Sequence, residues 1–337
     1  MDLKYQVKYF LTHHLHIQYS TKTFFPAMNT ESVFFKVISK ILQRVPPPRK
    51  IQEGEPSANG TNASDIDGGI FGAWDELSKT NLNEAINAQT GQLRSDFLRK
   101  LSISQTVHPN QRSVGVRIGE YLASSIYGSR LLSLASDSLF GQPYLIQPDF
   151  PCLSSSGLQH LSYIELLHKH WGIDLAYSPH EVHFIDYGGG YGNLARILVS
   201  LSDQINITIL DIPSMLKLQQ LFLQSTVSRK SSLERICFLK SDLKSYTSLR
   251  GKFGGQHTHF NATFSLNESP LWARTCVESE IIAKSDTFFI AYSPEFYGID
   301  NLDWIKELTN RMSKSFNIEK GCLPGHKTSE YVTGKKK

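Results

Sequence analysis

His183-Phe184-Ile185-Asp186-Tyr187-Gly188-Gly189-Gly190-Tyr191-Gly192-Asn193 is the stretch whose reading decides the fold. An apolar run enters a cluster of glycines, and a helical pattern leaves it. Leu194, Ile197, Leu198 and Leu201 fall at i, i+3, i+4 and i+7, so the helix has one face for a sheet. Glycines at such a turn let the backbone turn tightly and approach a ligand closely, with the helix N-terminus facing it. A dinucleotide fingerprint would need glycines at 188, 190 and 193, but residue 193 is asparagine. A Walker A loop is excluded because no Gly-Lys-Ser/Thr follows. What stands is acidic-x-Gly-x-Gly-x-Gly, with Asp186, Gly188, Gly190 and Gly192.

Working outward, short β-rich runs alternate with helical segments from residue 176 to the end, the pattern of a parallel α/β sheet. Seven strands are expected, at Val182–Tyr187, Asn206–Asp211, Arg235–Lys240, Phe260–Leu266, Asp286–Tyr292, Phe316–Lys320 and Ser329–Gly334. Residues 70–175 read as mainly helical, with apolar helical spacing at Ser113–Tyr127 and Leu158–Trp171. They are expected to form a cap over the substrate. Residues 46–69, opening on Pro46-Pro47-Pro48 and rich in Gly, Ser, Asn and Asp, read as a flexible linker. Residues 1–45 form a basic extension, and Glu31–Val45 has the spacing of an amphipathic helix. That helix suits packing on its own domain, and peripheral membrane contact is the alternative.

The chain has 337 residues, 40% hydrophobic and 20% charged, the composition of an ordinary globular protein. No apolar run reaches the roughly 18–20 residues that span a bilayer. The net charge of +4 is uneven: residues 1–50 carry +6 and Lys335-Lys336-Lys337 carry +3, leaving −5 for the body. Nucleic-acid binding through a basic folded face is therefore not expected. Four scattered cysteines with no C-x-x-C pair give neither a zinc site nor a disulfide framework. The first residues lack a compact apolar core before a small-residue cleavage site, so a cytoplasmic location is expected. His13, His14 and His16 cluster without a Cys or acidic partner and do not read as a metal site. No Gly-x-Ser-x-Gly elbow supports serine-nucleophile chemistry.

Ligands of an open α/β sheet lie beyond the carboxyl ends of its strands. Asp211 ends the second strand, where one carboxylate can accept from both ribose hydroxyls of a nucleoside. The competing role is capping of the helix that begins near Pro213. Asp242 follows the third strand, near the place of an adenine, and a turn or cap role serves it nearly as well. Ser265, Asn267 and Glu268 follow the fourth strand and should face the same crevice as Gly188 to Gly192. His257 and His259 precede that strand and belong at the opposite end. His326 lies between the last two strands and returns to the crevice if the final strand is antiparallel.

Together, Asp186-Tyr-Gly-Gly-Gly-Tyr-Gly-Asn-Leu-Ala-Arg196, Ile209-Leu-Asp211-Ile212-Pro213 and Ser265-Leu-Asn267-Glu268-Ser-Pro270 resemble the sugar O-methyltransferase family. Ile299-Asp300-Asn301 and Tyr331-Val-Thr-Gly-Lys-Lys add support, and the resemblance spans roughly residues 70–337. It lies within the class I S-adenosylmethionine-dependent methyltransferases, whose first motif the glycine loop is similar to. The resemblance implies a Rossmann-like fold and S-adenosyl-L-methionine as cofactor. The cofactor would be held at Asp186, Gly188, Gly189, Gly190, Tyr191, Gly192, Asp211, Ile212, Asp242, Ser265 and Asn267. It also implies a sugar or glycoconjugate acceptor. The family usually has Ser-Glu where this chain has Asn267-Glu268. The Asn/Asp-Pro-Pro-aromatic signature of many amino-group methyltransferases is absent, which favours an oxygen acceptor. A hydroxyl is a poor nucleophile, so a base is expected, Glu268 first and His326 second. Magnesium on Glu268, Glu295 and Asp300 is conceivable, though no spacing rule indicates it. A non-sugar small-molecule O-methyltransferase and a non-catalytic scaffold with this fold are the competing readings.

Overall fold

The computed structural model describes residues 64–106, 111–249, 256–296 and 299–337. The expected basic helix Glu31–Val45, the proline run and the histidine cluster lie outside the described residues. Helix α1 (Ser64–Ala85) begins inside the stretch read as a linker. After it come α2 (Leu101–Thr106), α3 (Arg112–Ala123) and α4 (Ile126–Leu134), then a small antiparallel pair, β1 (Leu145–Ile146) and β2 (Phe150–Ser154). The pattern over Ser113–Tyr127 predicted one helix, and the chain instead breaks it into α3 and α4. The Ser125 side chain accepts from Gly128 N at 2.9 Å and so starts a new helix. Gly128 packs so closely that a Cβ there would lie 2.3 Å from the Leu122 carbonyl oxygen. Helix α5 (Ser155–Trp171) completes the cap region and stops at Gly172, whose φ is +69°.

A Rossmann-like sheet follows. Its strands are β3 (Val182–Tyr187), β4 (Ile205–Asp211), β5 (Ile236–Lys240), β6 (His257–Thr263), β7 (Thr287–Tyr292), β10 (Phe316–Cys322) and β11 (Glu330–Lys336). A short pair, β8 (Glu295–Phe296) and β9 (Ile299–Asp300), stands apart. The seven-stranded order is β10-β11-β7-β6-β3-β4-β5. Contacts among β5, β4, β3, β6 and β7 are parallel, and β11 runs antiparallel to both β7 and β10. The helices are α6 (Asn193–Leu201), α7 (Pro213–Thr226), α8 (Lys230–Glu234), α9 (Leu243–Leu249), α10 (Leu271–Glu280) and α11 (Asn301–Met312).

Each expected strand is present, and one is displaced. The sequence predicted a strand over Phe260–Leu266, whereas β6 spans His257–Thr263. Phe264 takes a φ of +69°, which extended backbone cannot continue, and so ends the strand. At the other end His257 and His259 enter the ladder, where both imidazoles meet Thr287 Oγ1, at 3.0 and 2.9 Å.

Alternation along the strands separates two cores. Phe184, Phe289, Ala291 and Tyr331 pack with the cap helices and with Leu194, Leu198, Leu218 and Phe222 of α6 and α7. Ile185, Tyr187, Phe260, Phe288 and Ile290 pack on the opposite face with Val277, Ile305 and Leu308 of α10 and α11. Asp186 therefore falls on the cap side and Tyr187 on the other. The strand order reverses beside β3, with β4 on one flank and β6 on the other, which opens a crevice at their carboxyl ends. Among the described residues no helix is long and apolar enough to cross a membrane.

Candidate active site

The glycine loop joins β3 to α6 through three left-handed residues, Gly188 (φ +75°), Gly190 (φ +57°) and Gly192 (φ +97°). Only glycine adopts that succession without strain. At Gly188 space is limiting as well, because a Cβ would lie 2.2 Å from Ser265 Cβ. Gly188 N donates to Leu210 O at 2.8 Å, and Ser265 Oγ donates to Tyr187 O. The loop after β3 is thus fastened to β4 on one side and to the loop after β6 on the other.

Asp186 sits under this turn, fully buried. Its Oδ1 accepts from Asn261 Nδ2 at 2.8 Å, while Oδ2 is buried without a partner. Burial pushes the carboxyl up to about 6, against the opposing effect of the Asn261 hydrogen bond. Asn261 lies opposite Asp186 in the β3–β6 register, a pairing across 75 residues that the linear sequence did not disclose.

Asp211 does not cap the following helix. Residue Ile212 is the cap position of α7, with no side-chain capping bond and Pro213 next. Asp211 Oδ1 accepts from Ile212 N at 2.8 Å and Oδ2 from Gln219 Nε2 at 2.6 Å. Gln219 Nε2 also reaches Gly190 O at 3.0 Å, so one buried amide braces the acidic residue against the glycine loop. Burial raises the Asp211 carboxyl to about 7, opposed by the bond from Ile212 and then that from Gln219. A carboxylate has about four lone-pair sites, which leaves capacity for two ribose hydroxyls.

Two expected contacts take another form. Asp242 accepts from Ser245 N at 2.9 Å, a capping bond at the start of α9 that also holds its carboxyl below the usual range. The Tyr191 side chain turns away from the crevice and packs on Phe97 and Phe222, with centroids 6.2 and 5.1 Å away. Any contact of Tyr191 with a ligand would therefore be through its backbone.

The loop after β6 is held by a residue the sequence did not single out. Arg274 of α10, almost wholly buried, donates to Asn267 O at 2.5 Å, Ser269 O at 2.8 Å and Asn301 Oδ1 at 3.0 Å. The Asn267 side chain is buried, and neither its Oδ1 nor its Nδ2 has a hydrogen-bond partner. Burial raises the half-buried Glu268 carboxyl to about 8, partly offset by the positive charge of Arg274. On the far side Tyr187 Oη lies 3.0 Å from Ser269 Oγ and 3.2 Å from Ser241 Oγ, linking the loops after β5 and β6.

His326 reaches the same end of the sheet. Its ring centroid is 6.3 Å from that of Phe264, and Nε2 is 3.1 Å from Gln159 Nε2 of α5. His259 is at the other end, as expected, and burial lowers its imidazole to about 3. The conceivable magnesium set does not assemble. Asp300 Oδ1 caps α11 through Leu302 N at 2.8 Å, Glu295 is exposed, and no group of three or more metal-binding side chains occurs among the described residues.

No family model matches the chain, and no curated protein matches it. Several solved structures do. The methyltransferase domain of bacterial CtHen1-CN is 13% identical, with a TM-score of 0.40 over 52% of this chain and 97% of that one. Precorrin-6y C5,15-methyltransferase from Geobacter metallireducens is 12% identical, with a TM-score of 0.36 over 61% and 95%. A predicted O-methyltransferase from Agrobacterium tumefaciens is 18% identical, with a TM-score of 0.34 over 48% and 78%.

Proposed function

We propose that this chain is an S-adenosylmethionine-dependent O-methyltransferase acting on a sugar hydroxyl, with the acceptor part of a polysaccharide or glycoconjugate precursor. One observation carries the cofactor reading. The buried, unpartnered Oδ2 of Asp186 lies under three left-handed glycines at the switch point of the sheet. A ligand bringing hydrogen-bond donors and positive charge would satisfy that oxygen. S-adenosylmethionine brings both, and supplies a methyl group on a sulfonium that an acceptor oxygen can displace in line.

Asp186 would accept from the amino end of the ligand, and Asp211 from its ribose hydroxyls. The loop from Ser265 to Glu268 would lie beside the reacting carbon. Glu268 would take the acceptor proton, its carboxyl held by burial close to the operating pH, where a general base works best. The rigid bracing by Gln219 and Arg274 serves alignment, which can supply ~7–11 kcal/mol of a barrier in well-oriented systems. The sugar acceptor rests on the resemblance of Ser265-Leu-Asn267-Glu268-Ser-Pro270 and the missing amino-group signature.

Calorimetry of the full chain with S-adenosylhomocysteine tests the cofactor, and saturable binding is expected. No binding would leave the scaffold reading. Labelled S-adenosylmethionine offered to fractionated extract of cells lacking the gene tests the acceptor. Label is expected in the carbohydrate fraction, and label in phenolic small molecules alone would replace the sugar with another acceptor.

A further inference from the structure

Helix α5 of the cap is buried along most of its first two turns, but Gln159 and His160 are only half-buried. Together with Tyr163, one turn on, they share the side of the helix that faces the crevice. His160 Nδ1 lies 3.5 Å from Asn193 Nδ2, the first residue after the glycine loop. Gln159 Nε2 lies 3.1 Å from His326 Nε2. Tyr163 is buried against Phe289, at 5.2 Å between centroids, and feels the charge of Asp186. This short run of α5 therefore spans the crevice from the glycine loop to the His326 loop.

The partner of Gln159 is itself fixed. Arg117 of α3 donates from Nε and Nη2 to Gly325 O at 3.0 and 2.6 Å, pinning the residue before His326. Gly325 has a φ of +77°, and a Cβ there would meet Val114 O at 2.9 Å, so the loop sits tightly on α3. A carboxamide whose NH2 group donates to an anchored partner has a set orientation. Its carbonyl oxygen then faces elsewhere and can still accept.

We propose that Gln159 reads the acceptor: with its NH2 group held by His326, its carbonyl oxygen accepts a hydrogen bond from a hydroxyl of an uncharged acceptor. This rests on the methyltransferase reading above. The charges around the window favour that class. The charge of Asp186, which reaches Tyr163 beside Gln159, would repel an anionic group, and the neighbouring guanidinium of Arg117 is engaged by Gly325. His326 acts as a positioning residue, because its Nε2 is committed to Gln159.

Two readouts on the full chain test this. The first needs no ligand: 15N spectra of the histidine side chains, with His326 assigned by its loss in His326→Gln. In the native chain His326 should be held as the tautomer with Nε2 unprotonated. Gln159→Glu should reverse it and raise its titration by about one pH unit or more. Gln159→Met, similar in volume, should let both tautomers populate. Unchanged tautomer and titration in both variants would overturn the clamp. The second readout uses label transfer to the carbohydrate fraction. Gln159→Met should raise the acceptor KM about 3- to 10-fold, with a smaller change in kcat and unchanged S-adenosylhomocysteine affinity. An unchanged KM would overturn acceptor reading by Gln159. A native chain that binds no S-adenosylhomocysteine, or labels no carbohydrate, defeats the methyltransferase reading instead, and the spectra still decide the clamp.

Discussion

Neighbouring glycines in the loop are not equivalent, and substitution should separate them. At Gly188 a Cβ faces both a φ of +75° and Ser265 Cβ at 2.2 Å. Gly188→Ala must therefore move the loop after β6 or the turn itself. It should cost about 1–3 kcal/mol of stability from backbone strain alone, with the clash in addition, and remove S-adenosylhomocysteine binding. Gly189→Ala meets only ordinary-to-tight contacts, Asp186 Oδ2 and Ile209 Cγ2 each at 3.1 Å, without a positive φ. It should fold with near-native stability and bind more weakly. Thermal unfolding and calorimetry on the two variants check the order, and equal behaviour would show that the Gly188–Ser265 contact does not shape the pocket. Glu268→Gln keeps size and hydrogen bonding but removes the proton acceptor. Transfer should fall by about 10²–10⁴-fold with little change in cofactor affinity, and a fully active variant would exclude Glu268 as the base.

At the scale of elements, the cap is joined to the glycine-loop helix by a buried polar cluster. Asp137 accepts from Asn193 Nδ2 at 2.8 Å and Ser154 N at 2.6 Å, and its Oδ1 is 3.5 Å from Arg196 Nη2. Arg196 further donates to Asn193 Oδ1 at 2.9 Å and Ser136 O at 2.5 Å. Asp137→Ala strands a buried guanidinium and a buried backbone donor, so about 3–5 kcal/mol should be lost in chemical denaturation. Asp137→Asn, retaining shape, should lose less. None of this could be read from the sequence, because Asp137 and Asn193 are 56 residues apart and Gln159 and His326 are 167 apart. The central strands β3, β4 and β7 were legible because each is a largely apolar run bounded by polar or turn residues. The failures have local causes: Ser125 recaps a helix whose apolar spacing continues unbroken, and Phe264 takes a left-handed φ that its residue type does not announce. Asp186, Asp211 and the glycines were legible because their chemistry depends on position along one βαβ unit. Arg274 was not, since a buried arginine that holds three carbonyl-type oxygens looks in sequence like any helical arginine.

Across the whole molecule, the acidic groups of the crevice make binding and folding respond to pH in a defined direction. Burial lifts Asp186 to about 6, Asp211 to about 7 and Glu268 to about 8. The folded chain thus keeps protons that the unfolded chain releases near pH 4, and these groups contribute stability that is lost as pH rises through the folded values. His259 acts oppositely: lowered to about 3, it makes the fold gain stability as pH rises towards 6.5. Above pH 6.5 the histidine effect is complete, so for these four groups the net slope from pH 6.5 to 8 is downward. Scans of Tm in that window should fall, and Glu268→Gln should flatten them. A sulfonium beside these carboxyls favours their ionised forms, so S-adenosylmethionine should expel protons on binding at pH 7. S-adenosylhomocysteine, whose sulfur is neutral, should expel fewer. Calorimetry in two buffers of different ionisation enthalpy counts those protons directly. Equal release by the two ligands would place the sulfur away from the carboxyls and remove Glu268 from the reacting centre, whatever the affinity. A difference that shrinks in Glu268→Gln would put that carboxyl beside the methyl carbon before any acceptor is known.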